Sequence, residues 1–107
     1  MRTRVKVCCI ASVEDARLAV SLGADALGLV GEMPSGPGPI PDALIHEIAT
    51  GMPPAVGTFL LTSRTTAEGI ADHVAACGVN TVQAVRHLDL NVWPRLAERL
   101  PANVRRV

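Results

Sequence analysis

Aromatic side chains are almost missing from this chain. Phe59 and Trp93 are the two present, and none of the 107 residues is tyrosine. Proteins that hold a run of bases by stacking need aromatic platforms, so this absence argues against that role. An excess of one charge is missing too. Ten Lys and Arg balance ten Asp and Glu, and no basic run stands out, so nucleic acid is not the expected partner. Cysteine is scarce, at Cys8, Cys9 and Cys77. Two are adjacent and the third is distant, which fits neither C-x-x-C zinc spacing nor a disulfide framework. No metal site is expected from them, and a reducing, cytoplasmic setting is. Long apolar runs are absent as well. The basic start MRTRVKVCCIAS carries only a short, interrupted apolar stretch, so neither a signal peptide nor a membrane span is expected.

What the chain does contain suits one domain with a core. Hydrophobic residues make up 49% and charged residues 19%, which is globular rather than disordered composition. Short apolar runs alternate with helix-like segments. RVKVCCI, ALGLV, AVGTFLLT, TVQAV and NVRRV read as five strands, the last only beginning. VEDARLAVSL, DALIHEIAT, AEGIADHVAAC and LNVWPRLAERL read as four helices between them. Ser12, with Asp15 three residues on, is an N-cap candidate, and Thr65 or Thr66 can cap the third helix. Gly51 and Gly78 follow helices, and Pro94 falls in the first turn of the fourth.

The strands read as near-continuous apolar runs, expected for parallel strands covered on both faces. A quiet repeat runs through them. SLGADALGLV and ACGVNTVQAV align without gaps, their glycines (Gly23 and Gly78) 55 residues apart. Each has a helix-ending glycine, then Asp25 or Asn80 in the turn, then a strand. Two βα units per period suit a (βα)8 barrel. A doubly wound sheet stays open, though CCIASVED lacks the glycine-rich phosphate fingerprint usual after its first strand.

In an extended strand, residues two apart share a face. Lys6 and Cys8 therefore point one way and Cys9 the other. A cation on the Cys8 face favours a thiolate. Taken alone, the strand fits equally a buried small side chain, the commoner fate of free cysteine.

The residues of VKVCCIASVEDARLAVSLGADALGLV resemble the opening of the phosphoribosylanthranilate isomerase family, the tryptophan-pathway (βα)8 barrels. That family opens with V-K-I-C-G-I-T, then a helix containing E-D-A, then G-A-D-A-x-G-F-V. Lys6, Cys8, Ile10, Glu14, Asp15, Ala16, Gly23, Ala24, Asp25, Ala26, Gly28 and Val30 match it. PPAVGTFLLTS and GVNTVQAV resemble its third and fourth strands more loosely. Such barrels run to roughly 200 residues or more, so residues 1–107 resemble an N-terminal half barrel of four βα units plus the start of a fifth strand.

The resemblance implies an aldose–ketose isomerase, an intramolecular oxidoreductase. The reaction is the Amadori rearrangement of N-(5-phosphoribosyl)anthranilate, a phosphosugar, with no cofactor. A general acid protonates the ring oxygen, and a general base removes the proton beside the iminium. The base falls on Cys8, with Lys6 supporting it. Ser35, surviving from an S-P-R motif, and His87, just after the fourth strand, are candidate substrate contacts.

Departures from the pattern matter. Cys9 replaces a glycine, Ala11 a threonine, and Val85 a histidine; the arginine of S-P-R is gone from PSGPGPI. The general acid and the phosphate loops have no counterpart in these residues, so the chain alone is expected to be inactive. Rival readings are a divergent, non-catalytic barrel relative acting as a binding or assembly module, and a phosphosugar isomerase with a changed substrate. An open half barrel leaves strand edges unpaired, which invites self-association. His46 and His73 are expected on outer helix faces, Arg86 on the surface, and Gln83 packed or bonded within the barrel. Cys77 shares a helix face with Ile70 and Val74 and is expected in the core.

Overall fold

The structure, a computed structural model, describes residues 2–107. Five strands, β1 (Lys6–Val7), β2 (Ala26–Val30), β3 (Gly57–Thr62), β4 (Thr81–Ala84) and β5 (Arg105–Arg106), alternate with four helices. The helices are α1 (Val13–Ser21), α2 (Asp42–Thr50), α3 (Ala67–Cys77) and α4 (Val92–Arg99). All strand pairs are parallel, and the sheet order is the chain order, β1-β2-β3-β4-β5. A doubly wound sheet reverses direction at a switch point. This one never does, which settles the alternative left open by the sequence. Right-handed crossovers that always step the same way put every helix on one face. Accordingly α1 packs on α2, α2 on α3 and α3 on α4.

The core lies between that helix layer and the sheet. Leu27, Leu29, Leu60, Ile45, Ile48 and Ile70 are fully buried there. Burial on both faces, expected from the apolar runs, holds for β2 but not for β3. In β3, Thr58, Leu60 and Thr62 are buried against the helices, while Gly57, Phe59 and Leu61 are only half-buried. The inner face has no second layer among the described residues, so burial alternates with the pleat.

Local signals explain the boundaries. Ser12 Oγ accepts from the Asp15 N–H at 3.0 Å, and Asp15 reaches back to the Ala11 N–H at 3.3 Å. Thr66, not Thr65, caps α3 by accepting from the Gly69 N–H at 3.0 Å. Gly78 ends α3 with φ of 66°, a left-handed turn that glycine adopts without a Cβ penalty. The repeat has a structural meaning. Asp25 accepts from the N–H of Val5, just ahead of β1, at 2.8 Å, and Asn80 Oδ1 accepts from the Thr58 N–H at 2.8 Å. Each turn residue thus locks its strand to the one before. Arg2 pairs with Asp25, and that pairing with the Val5 N–H holds the Asp25 carboxyl below the usual carboxylate range.

The first strand is shorter than RVKVCCI. Its ladder covers Lys6–Val7, because Cys9 takes φ of 58° and breaks the extended run. At this edge Val5, Val7, Leu18 and Leu22 are exposed and line one groove between β1 and α1. No described helix is long and apolar enough to cross a membrane.

Candidate functional site

Cys8 follows β1 directly, at the C-terminal end of the sheet where barrel enzymes carry their chemistry. Its neighbour across the sheet is Gly28. A Cβ built on Gly28 would lie 2.7 Å from Cys8 Sγ, so the glycine makes the room that the thiol occupies. Gly28 is in register with Phe59, and Phe59 with Thr81. Lys6 crosses the same face: its Nζ donates to Gln83 Oε1 at 2.7 Å and stands 4.7 Å from the Phe59 ring centroid. Lys6, Cys8, Phe59 and Gln83 thus converge on the inner face from three strands and the end of β1. The ammonium is fixed to Gln83, so what it offers Cys8 is charge on a shared surface. Phe59 gave no sequence signal beyond being one of two aromatics.

Cys9 does not simply face away from Cys8, as strand alternation predicts. Its left-handed backbone takes it out of the strand, and its Sγ lies 2.9 Å from where a Cβ on Gly38 would stand. Gly38 belongs to the 31–41 loop, which is held to β2 by the Val30–Pro39 bridge and the Ile40 N–H to Val30 O bond of 3.0 Å. The negative charge of a Cys8 thiolate pushes the Cys9 thiol above its ordinary pKa. A non-glycine residue in left-handed backbone carries strain of roughly 1–2 kcal/mol, partly offset by the flexibility glycine adds to the unfolded chain. Cys9→Gly is expected to stabilise the fold by about 0.5–1 kcal/mol, read as a rise in the urea midpoint with unchanged slope.

The other candidates stand apart from this cluster. Ser35 is exposed in the loop after β2. His87 is exposed and lines a groove with Thr66, Glu68, Asp89 and Arg95, beside the starts of α3 and α4. Arg86 is exposed. Arg64, after β3, donates to Gly69 O at 3.0 Å and pairs with Glu32 at 3.3 Å.

His46 is exposed as expected, but His73 is not on an outer face: it is fully buried. Its Nδ1 meets Thr62 Oγ1 at 2.8 Å and its Nε2 meets Asp42 Oδ1 at 2.9 Å. The Nε2–H tautomer satisfies every partner, since Thr62 then donates to Nδ1 and accepts from the Arg64 N–H at 3.3 Å. Cys77 is buried, as expected, and its thiol is pushed up to about 12 by burial and by the Asp42 carboxylate. Ligand atoms of Asp42, His73 and Cys77 lie within 4.8 Å of one another. Both His73 nitrogens already have hydrogen-bond partners, and the group serves as a tie between β3, α3 and the start of α2. The spacing of Ile70, Val74 and Cys77 places His73 on their face, three residues after Ile70. That signal was in the sequence and pointed inward.

No protein-family model matches the chain. Individual relatives do. The N-(5'-phosphoribosyl)anthranilate isomerase of Geobacter metallireducens is 40% identical over 80 residues, which are 75% of this chain and 39% of the relative. N-(5'-phosphoribosyl)anthranilate isomerase 2 of Methanosarcina mazei is 40% identical over 90 residues, 83% of this chain and 39% of the relative. A crystal structure of phosphoribosyl anthranilate isomerase, in complex with reduced 1-(o-carboxyphenylamino)-1-deoxyribulose 5-phosphate, superposes with a TM-score of 0.78 at 30% identity. That match covers 92% of this chain and 50% of the other. The chain spans less than half the length of these curated relatives and half of the crystallised barrel. In sequence and in fold it belongs to the phosphoribosylanthranilate isomerase family, of whose barrel it comprises about half.

Proposed function

We propose that residues 1–107 are the N-terminal half of a phosphoribosylanthranilate isomerase barrel, contributing the general base to an Amadori rearrangement. The placement of Cys8 carries this reading. It stands on the inner face, in space left by Gly28, on the same face as the Lys6 ammonium. In the reaction the Cys8 thiolate takes the proton from the carbon next to the iminium, which the iminium has acidified. Lys6 supplies positive charge to the face that receives an anionic substrate. The acid that opens the sugar ring, and the phosphate site, belong to the complementary half. The isolated chain is therefore expected to show no turnover of phosphoribosylanthranilate, while the chain fused to the complementary half of the Geobacter metallireducens relative does. Turnover by the isolated chain, or none by a folded fusion, overturns the reading.

Exposed Val5, Val7, Leu18 and Leu22, beside a β1 edge that is unpaired among the described residues, favour a second element of the same proposal. An open strand edge next to exposed apolar side chains pairs readily with another chain. On its own the chain is expected to self-associate through these edges. Light scattering checks this, and a monomer mass at all concentrations excludes it.

A further inference from the structure

The pair Cys8–Cys9 is more than the isomerisation needs, since one base suffices. Both residues are exposed. Strand geometry would hold adjacent side chains on opposite faces; the left-handed backbone at Cys9 removes that separation. The two thiols are close enough that a charge on Cys8 raises the pKa of Cys9. Cys9 also has Gly38 of the pinned loop on one side. The third thiol, Cys77, is buried.

We propose that Cys8 and Cys9 form a peroxide-sensitive modification site, in which Cys8 is oxidised first and Cys9 resolves it as an intramolecular disulfide between neighbours. The oxidant is hydrogen peroxide. The Cys8 thiolate attacks one peroxide oxygen; an S–O bond forms, the O–O bond breaks, and hydroxide leaves, giving a sulfenic acid. The Cys9 sulfur then attacks the Cys8 sulfur. An S–S bond forms, the S–O bond breaks, and the Cys9 proton leaves with the hydroxide as water. Two thiols lose two electrons and two protons, and one peroxide becomes two waters.

Adjacent α-carbons across a trans peptide lie about 3.8 Å apart, and no peptide among the described residues is cis. Disulfides usually span about 4.4–6.8 Å between α-carbons. The ring is therefore strained and easily reduced, as suits a reversible cap rather than a structural bond. Its use is protection: a sulfenic acid at Cys8 without a resolving thiol proceeds to sulfinic acid, which is not recovered. The consequence for turnover rests on Cys8 being the base, as proposed above. The oxidation itself does not, so the test reads peptide masses rather than activity.

The full chain is treated with a small excess of hydrogen peroxide, its free thiols are alkylated under denaturing conditions, and it is digested with trypsin. Cleavage after Lys6 and Arg17 releases both cysteines in one peptide, residues 7–17. The expected peptide is lighter by two hydrogens, is unalkylated, and is returned to the dithiol form by dithiothreitol. Cys77 is expected to stay alkylatable. In Cys9→Ser and Cys9→Gly the same peptide is expected to gain two oxygens and to resist dithiothreitol; the glycine variant guards against a folding artefact, because glycine suits that backbone. Sulfinic acid at Cys8 of the unsubstituted chain with Cys9 still alkylatable overturns the proposal. So does a disulfide joining two chains as the main product.

Discussion

Replacing His73 with alanine is expected to lower the melting temperature by about 12–24 °C, the largest stability effect of any histidine in the chain. His73 is 0% exposed and joins Thr62 on β3 to Asp42 at the start of α2. The change removes a buried ring and leaves a cavity. It also strips Thr62, itself 0% exposed, of one partner. Cavity formation together with a buried group left short of a hydrogen bond costs about 3 kcal/mol, and each kcal/mol shifts the midpoint of a domain this size by about 4–8 °C. His46→Ala is the control. That side chain is exposed, and surface changes usually stay within about 0.5 kcal/mol. Both proteins are melted at one concentration, since any self-association makes the midpoint concentration-dependent. A His73→Ala midpoint close to that of His46→Ala would remove the tie from the account of stability.

His73 also shows where sequence reasoning stops. A histidine in a helix is commonly exposed, and an outer face was the natural expectation. The helical period argued otherwise, since Ile70, Val74 and Cys77 already marked the buried stripe that His73 joins. What periodicity lacks is the partner: Asp42 lies 31 residues away and meets His73 only because α2 and α3 are neighbours. Continuous apolar runs and regular helix signals made the strand and helix order legible. The apolar run overstates β1 because nothing in CCI announces a left-handed residue. The same turn at Cys9 overrode the alternation rule that was to separate the two thiols. Cys8 and Lys6 were legible as one face because a period of two residues requires it. That Lys6 bonds Gln83 across two intervening strands was not, because sheet order is a property of the whole chain.

Cys8→Ser, placed in the completed barrel, is expected to reduce kcat by about 10²–10⁴-fold, the usual contribution of a positioned general base. A serine hydroxyl fits the space beside Gly28, being smaller than the thiol, and so preserves the fold. Its proton is held too tightly to leave an oxyanion as base near neutral pH. With Cys8 as the proposed base, acting on a proton transferred in the transition state, KM should move little while kcat falls. Gly28→Ala reaches the same residue by another route. Its Cβ would stand 2.7 Å from Cys8 Sγ, nearer than two such atoms can rest, so the thiol must shift. A displacement of about 1 Å can cost about 10²-fold in rate. Cys9→Ser is the control, as it changes the neighbouring thiol, which the left-handed backbone takes out of the strand. It should leave kcat within a few-fold. If Cys9→Ser were to cost as much as Cys8→Ser, the base would be shared or misassigned. If neither changed kcat, the inner-face cluster of Lys6, Cys8, Phe59 and Gln83 would be a packing arrangement, and the divergent, non-catalytic reading would take its place.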